Sequence, residues 1–366
     1  MSRSSLLKAK YYSNFEVIKF SIVKVVEKER LFGKTLNELK FVVRENGLQP
    51  FAARQMADWL YKKHASEIDE MTNISSKFRE KLNASFIIGR IEPVKVQKSI
   101  DGTKKYLFPA GKDKFIETAY IPGKNRATIC VSSQVGCKMG CEFCMTAKQG
   151  FQGNLDACEI LNQISSIPER DKITNIVYMG MGEPFDNIDE VLKSLEILTS
   201  DYGYSLSPRR ITVSTIGVIP GLRRFLDESK CHLAVSLQSP FKQERLNLMP
   251  IEKVYPLREV ISEIKRFNFG LQRRISFEYI MFKNVNDTEN HVKELSKILN
   301  GLNCRINLIK FHPIPGTLLE PSEEKTMEFF KDELNRNGFL TTIRQSRGQD
   351  IMAACGLLST LANSLK

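Results

Sequence analysis

The sequence predicts an α/β fold, a partial (β/α)6 barrel with a small helical domain ahead of it. Two observations carry this. From Ala127 onward, apolar β-branched runs recur at 127–132, 173–179, 211–216, 232–237, 275–282 and 305–311. Amphipathic or capped stretches alternate with them at about 155–167, 187–199, 219–228, 256–268, 287–300 and 322–337. Six strand–helix units in succession imply a parallel sheet with right-handed crossovers. A closed eight-unit barrel needs two more units, so the count fits an open barrel, with a doubly wound sheet as the competing architecture.

The elements before Ala127 are of another kind. Residues 1–30 are basic and lack a clean period, which fits a disordered arm or residues ahead of a misassigned start. Residues 31–94 read as a helical domain. Its first helical segment is expected from Leu31, Thr35-Leu36-Asn37-Glu38 matches a capping box, and Asn46-Gly47 supplies a stop. Pro50 suits the first turn of a second helix, with Phe51, Met56, Trp59 and Leu60 as its buried stripe. A third helix is expected from Ser76 to about Ala84. Residues 95–126 read as linker strands with a hairpin at Asp101-Gly102, residues 127–345 as the barrel, and 346–366 as a C-terminal segment.

At 366 residues the chain is long enough for one large α/β domain plus a small one. No apolar run approaches the ~20 residues of a membrane span. Lys19 and Lys24 interrupt the one candidate signal-peptide core, so a cytoplasmic protein with reduced thiols is expected. The formal charge of +12 favours a polyanionic partner, nucleic acid being the commonest. Arg54, Lys62 and Lys63 are candidate RNA contacts on the helical domain, or else a solvated helix face.

Parallel α/β folds place function at the carboxyl ends of their strands. After the first strand here comes Cys137-Lys138-Met139-Gly140-Cys141-Glu142-Phe143-Cys144, and after the second Gly180-Met181-Gly182-Glu183-Pro184. Ser214, Thr215 and Gly217 end the third, Ser236, Leu237 and Gln238 the fourth, and His312-Pro313 the sixth. Three of the eight cysteines lie within Cys137–Cys144. Three thiolates can hold three corners of an iron–sulfur cubane and leave one iron open to a small molecule, unlike four-cysteine electron-transfer clusters. Structural zinc is the competing reading, but it normally takes four protein ligands, and there is no second CxxC.

CxxxCxxC after the first strand of a βα-repeat chain resembles the radical S-adenosylmethionine superfamily. The Gly182-Glu183 turn resembles the superfamily's segment for the methionine amino group. The resemblance extends to the RlmN-type RNA adenine-C2 methyltransferases, through Arg126–Cys137, Met179–Pro184, Ser207-Pro208-Arg209-Arg210, Ser214-Thr215-Ile216-Gly217 and Asp350–Gly356. Together these motifs cover the chain from about Leu31 to Leu358.

The resemblance implies one 4Fe-4S cluster per chain on Cys137, Cys141 and Cys144, and two S-adenosylmethionine molecules per turnover. It implies cofactor contacts from Gly182, Glu183, Ser214, Ser236, Leu237, Gln238 and His312. Gln238 stands where the family often has histidine, and His312 where it often has asparagine. Because adenine C2 is not a nucleophile, the family works in two stages. One S-adenosylmethionine methylates a thiol, here Cys355 of the C-terminal segment. A second is cleaved, and its radical takes hydrogen from that S-methyl group. The methylene radical adds to C2, and a resolving thiol, here Cys130, releases the product as a Cys130–Cys355 disulfide. Glu117 matches the family's general base. Cys158, Cys231 and Cys304 match no such position and are read as structural.

The implied substrates are an adenine of 23S rRNA near the peptidyl-transferase centre and the adenine 3′ of the tRNA anticodon. The implied partners also include a low-potential, flavodoxin-like electron donor, with the enzyme a monomer. Three alternatives remain open at this point. They are the related branch that methylates C8 and confers antibiotic resistance, a non-catalytic zinc RNA-binding protein, and a radical enzyme acting on a small molecule. Ser346-Arg347-Gly348-Gln349-Asp350 is more similar to the C2 branch.

Overall fold

The computed structural model describes residues 28–270 and 273–353; the readings made for residues 1–27 and for Cys355 lie outside them. The described chain enters as a short strand, β1 (Glu29–Arg30), paired in parallel with β2 (Phe86–Ile87). Helix had been expected from Leu31. Instead the N–H groups of Leu31 and Phe32 donate to Ile87 O and Ile88 O at 2.9 Å and prolong that pairing. The first helix, α1 (Leu36–Glu45), begins where the capping box permits. Thr35 Oγ1 accepts from Glu38 N at 3.3 Å, and the Glu38 carboxylate accepts from Thr35 N at 2.7 Å.

Helix α2 (Ala52–Tyr61) and helix α3 (Ser76–Ser85) complete the small domain. The buried face of α2 is Ala52, Ala53, Met56, Ala57, Leu60 and Tyr61. Phe51, expected in this stripe, is 66% exposed, and Trp59 is half-buried. Phe51 precedes the helix as its N-cap residue, and the small alanines take the inward places against α1. Arg54 pairs with Asp201 at 3.1 Å, while Lys62 and Lys63 both approach Asp58. These ion pairs are exposed and contribute little individually.

Three antiparallel strands follow: β3 (Lys95–Lys98), β4 (Lys104–Pro109) and β5 (Phe115–Ile121). The turn between β3 and β4 falls at Asp101-Gly102 as expected, with Asp101 Oδ1 accepting from Thr103 N at 2.9 Å. Strand β5 runs antiparallel to β6 (Thr128–Cys130), the first parallel strand of the barrel. A small antiparallel pair, β7 (Gln134–Val135) and β8 (Gly153–Asn154), then brackets the cysteine loop and helix α4 (Met145–Gln149).

The repeat continues through α5 (Ala157–Ser165), β9 (Asn175–Tyr178), α6 (Ile188–Thr199), β10 (Ile211–Thr215), α7 (Ile219–Glu228) and β11 (His232–Ser236). Two helices, α8 (Lys242–Leu248) and α9 (Leu257–Arg266), lead to β12 (Ile275–Met281). They are followed by α10 (Glu289–Leu299), β13 (Cys304–Lys310), α11 (Glu324–Arg336) and β14 (Leu340–Arg344). All belong to one α/β partial barrel. Its ten-stranded sheet has the order β14-β13-β12-β11-β10-β9-β6-β5-β4-β3, with every pair from β6 to β14 parallel. The six expected strands and six expected helices are present. The seventh parallel strand, β14, was not expected, because Leu340-Thr341-Thr342-Ile343-Arg344 is short and mostly polar.

Strand β12 is buried along its whole length, as a central parallel strand covered on both faces must be. Cys158, Cys231 and Cys304, read as structural, are all buried. Among the described residues no helix is long and apolar enough to cross a membrane. Phe277, on β12, has no exposed surface. Replacing it with Ala removes an aromatic ring from the centre of the sheet. The expected loss is about 3–5 kcal/mol in chemical denaturation, with an unchanged slope.

Candidate active site

The carboxyl ends of the parallel strands meet around a cavity. Cys137, Cys141 and Cys144 line it, together with Gly182, Glu183, Ser214, Ser236 and Gln238. Eight of the ten residues expected to bind the cluster or cofactor therefore face one space. Leu237 is buried behind the rim, and His312 lines a neighbouring cavity.

The Gly180–Pro184 turn is fixed by the strand beside it. Ser132 Oγ accepts from Met181 N at 2.8 Å and donates to Glu117 O at 2.7 Å. Met181 O accepts from Ser133 N and Gln134 N, and Gln134 Oε1 accepts from Glu183 N at 2.9 Å. Gly182 has a φ of +94°, and a Cβ there would lie 2.5 Å from Gln134 Cβ. Both the backbone conformation and the close approach require glycine.

Glu183 is 3% exposed. Its Oε1 accepts from Thr215 Oγ1 at 2.6 Å and Phe185 N at 3.1 Å, and its Oε2 from Ile216 N at 3.0 Å. A carboxylate offers about four acceptor positions, so one remains beside the cavity. Burial pushes the carboxyl up to about 7, against the pull of the hydrogen bonds from Thr215, Ile216 and Phe185. A cation entering the cavity would relieve that cost, as the expected amino-group contact requires.

Two further side chains fasten the rim. Arg245, fully buried, donates from NH2 to Ile216 O at 2.8 Å and from Nε to Leu237 O at 3.1 Å, and it pairs with Glu252. It thereby ties the ends of β10 and β11. Gln238, in the left-handed region at φ +63°, accepts from Ile280 N through Oε1 at 2.7 Å. Its carbonyl accepts from Asn286 Nδ2 at 2.6 Å, so β11 is tied to β12. Gln238 thus keeps its place at the cavity with its side-chain oxygen engaged by backbone.

The donor set fits the expected cluster. Among the described residues lining the cavity, the candidate metal donors are three thiols and two carboxylates. Both carboxylates already accept three hydrogen bonds each, Glu183 as above and Glu278 from Ser276, Asn307 and Arg344 at 3.0, 2.8 and 3.2 Å, so they are weaker candidates than the thiols. Three thiols remain, the number that leaves one iron of a cubane open. Among the described residues no three or more His, Cys, Asp or Glu converge as ligands of a single ion. A cubane takes one thiol per corner, so its ligands surround a volume. Burial pushes the Cys137 thiol up to about 12 and that of Cys141 well above its ordinary value. Their ionisation calls for a positive partner of the kind iron supplies.

A second cavity adjoins the first and shares Met179, Ile309 and Arg344 with it. Cys130, His312, Arg126 and Ala353 line it. Cys130 packs with Ala119, Val177 and Ala353. His312 bonds Ser346 Oγ through Nε2 at 2.7 Å, and burial, with Lys310 nearby, lowers its pKa. Glu117 lines neither cavity. It is buried on β5 with Lys105 Nζ at 3.1 Å, two residues before Ala119, the pairing partner of Cys130. Cys355 lies outside the described residues.

Sequence reasoning missed Arg245, Glu278 and Arg344 as parts of the site. Glu278 carried a signal, as the one charged residue in Ile275–Met281. Arg245 carried none, since Lys242–Leu248 reads as an ordinary polar helix.

Comparison with known proteins places these features in context. Residues 131–295 match the family model of the radical SAM superfamily, and residues 30–88 that of the ribosomal RNA large subunit methyltransferase N-terminal domain. The chain is 60% identical to a probable dual-specificity RNA methyltransferase RlmN of Parabacteroides distasonis, over 93% of this chain and 99% of that one. It is 40% identical to the dual-specificity RNA methyltransferase RlmN of Syntrophus aciditrophicus, over 89% and 94%. The fold is similar to the crystal structure of a radical SAM methyltransferase from Sphaerobacter thermophilus. The TM-score is 0.84 at 36% identity, covering 90% of this chain and 99% of that one.

Two outcomes follow from the rim. A raised Glu183 pKa means that between about 4.5 and 7 the folded protein holds a proton the unfolded chain has released. Stability of the cluster-free protein should therefore fall as pH rises through that window, by on the order of 3 kcal/mol, and level off above it. Denaturant midpoints of Glu183→Gln at pH 5 and pH 8 should lack that difference. Arg245→Met leaves Glu252 buried without its partner and should cost about 3–5 kcal/mol. The double variant R245M/E252L should regain much of that stability. It should still bind S-adenosylmethionine at least about tenfold more weakly in equilibrium dialysis, because the two rim carbonyls are released.

Proposed function

Because this chain belongs to the RlmN family of radical S-adenosylmethionine RNA methyltransferases, we propose that it methylates C2 of adenine in 23S rRNA and at the position 3′ of the tRNA anticodon. The observation that carries this reading is that the two cavities adjoin. The cysteine loop and Glu183 line the first, Cys130 lines the second, and Met179, Ile309 and Arg344 line both.

Cys137, Cys141 and Cys144 hold one 4Fe-4S cluster per chain. When bound, that cluster supplies the electron that cleaves S-adenosylmethionine reductively. Glu183 receives the amino group of the methionine moiety on its free acceptor position, while Gly182, Ser214, Ser236 and Gln238 shape the remainder of the site. Leu237 contributes through its carbonyl, which Arg245 holds. His312 lines the cavity of Cys130, and there serves the RNA base or the carrier segment.

Two S-adenosylmethionine molecules are consumed per turnover. Cys355 would accept the methyl group of the first and then give up one hydrogen atom of its S-methyl group to the radical that the second supplies. The carbon would join adenine C2. Cys130, as thiolate, would attack the Cys355 sulfur and break its bond to that carbon as the disulfide forms, and one electron would pass back to the oxidised cluster. The C2 proton would go to Glu117 once it leaves its pairing with Lys105, and the new methyl group would take up a proton. Neighbouring positions support this assignment, since Ala353 packs on Cys130 and Cys355 follows it by two positions in sequence. The base to be modified leaves its stack to reach the second cavity, so a loop or single-stranded region is the natural substrate. Arg126, Arg344 and Arg347 line that cavity and favour a polyanion. The enzyme acts as a cytoplasmic monomer fed by a low-potential, flavodoxin-like donor.

Anaerobic reconstitution should incorporate iron and sulfide in near-equal amounts, and Cys141→Ala should abolish the cluster absorbance. Zinc without that absorbance would contradict the assignment. Mass spectrometry of nucleosides from treated 23S rRNA and tRNA should find 2-methyladenosine in both. The C8 isomer alone would move the enzyme to the related branch.

A further inference from the structure

The β3–β4 hairpin makes contacts that neither the cluster nor the cofactor requires. Its tip reaches a segment about 250 residues away. Ser99 Oγ donates to Asp350 Oδ1 at 2.6 Å, and Ile100 N donates to Asp350 Oδ2 at 3.1 Å. In return Gly348 N donates to Asp101 Oδ2 at 2.9 Å. Each side supplies one carboxylate and receives the other's hydrogen bonds.

The segment so held is a tight turn. Gly348 has a φ of +61°, and a Cβ there would lie 2.9 Å from both Thr103 Cγ2 and Ala353 Cβ. Met352 is also in the left-handed region, at φ +53°, which a side chain rarely adopts without support. Ala353 N closes the turn on Gly348 O at 2.8 Å. Ala353 is 7% exposed and packs with Cys130, Ala119 and Val177. The hairpin thus grips one end of the turn, and the other end rests on Cys130. Burial alone would raise the Asp101 carboxyl, but hydrogen bonds from Thr103, Gly348 and Ser99 hold it at about 2. The hydrogen bond from Ser99 likewise lowers that of Asp350. Both stay ionised at any working pH.

We propose that Asp101 and Asp350 are positioning residues, forming a clasp through which the β3–β4 hairpin holds the Gly348–Ala353 turn against Cys130 and so presents Cys355 to its reaction partners. Its chemical consequence rests on the assignment of Cys355 as methyl carrier and Cys130 as resolving thiol. A clasp of this kind acts by effective concentration: two groups on one chain meet at a rate set by how tightly their connection is held. It also gives the Ser346–Asp350 motif a role, since the motif supplies both hydrogen-bonding partners of the hairpin.

The test uses the full-length, cluster-loaded protein and the variants Asp101→Asn, Asp350→Asn and the pair together. Iron content should match the wild type, since none of these contacts touches the cysteine loop, while the thermal midpoint should fall, since the hydrogen bonds that hold Asp101 at about 2 are lost. Deuterium exchange of the peptide spanning residues 346–353 should be at least about tenfold faster in the variants. The equilibrium constant for the Cys130–Cys355 disulfide in glutathione buffer should fall by about the same factor. Unchanged exchange would overturn the clasp. Faster exchange with an unaltered disulfide constant would also overturn it, because the turn would then be held without positioning Cys355. If the wild-type protein forms no Cys130–Cys355 disulfide at all, the thiol assignment falls, and S-methylation of Cys355 by labelled S-adenosylmethionine becomes the measure. Loss of that labelling in the variants would support the clasp, and equal labelling would overturn it.

Discussion

The structure turns on a buried carboxylate. Glu183 sits where β9 ends, in a turn shaped by Gly182, and it accepts from Thr215 and Ile216 where β10 ends. Burying this group without a full set of partners costs free energy, which its raised pKa registers. The fold offsets the cost by aiming three donors at it and leaving one acceptor position beside the cavity. The same logic runs around the rim. Arg245 joins β10 to β11 through Ile216 O and Leu237 O, and Gln238 joins β11 to β12 through Ile280 N. Four adjacent strand ends are thus linked by side chains bonded to backbone, so the cavity wall is a connected piece. A site built this way holds its geometry better than one carried on free loops.

The adjacency of the two cavities is the second feature. Met179, Ile309 and Arg344 line both spaces, and Arg344 pairs with Glu278 of β12. Glu278 is also bonded by Ser276 and by Asn307, so it is a satisfied buried carboxylate rather than a stray charge. The thiols divide in the same way. The cysteine loop faces the first cavity and Cys130 the second, while Cys158, Cys231 and Cys304 are packed away from both.

Much of this was legible in the sequence, and the reasons differ by element. The capping box at Thr35 and the hairpin at Asp101-Gly102 appear where local hydrogen-bonding chemistry placed them. The six strand–helix units were legible because their apolar runs must be buried on two faces. Strand β14 was not, because an alternating, half-exposed edge strand leaves no such run. Phe51 was misplaced because helical periodicity cannot tell a residue within the helix from the one just ahead of it. The cofactor rim was legible through strand-end placement, which brought Cys137, Glu183, Ser214 and Ser236 together from widely separated positions. Arg245 and the hairpin clasp were not legible, since each acts through backbone atoms of distant segments and has no local pattern. His312 was read at the end of the sixth strand, and it lines the second cavity.

The proposed route carries carbon to the RNA through a protein thioether rather than directly from a sulfonium. S-adenosylmethionine bearing a trideuterated methyl group separates the two routes when 23S rRNA is the acceptor. Transfer through Cys355 removes one deuterium at the hydrogen-abstraction step, so the methylated adenine should retain two. Product that retains all three would contradict the account, because it would mean that the methyl group moved intact.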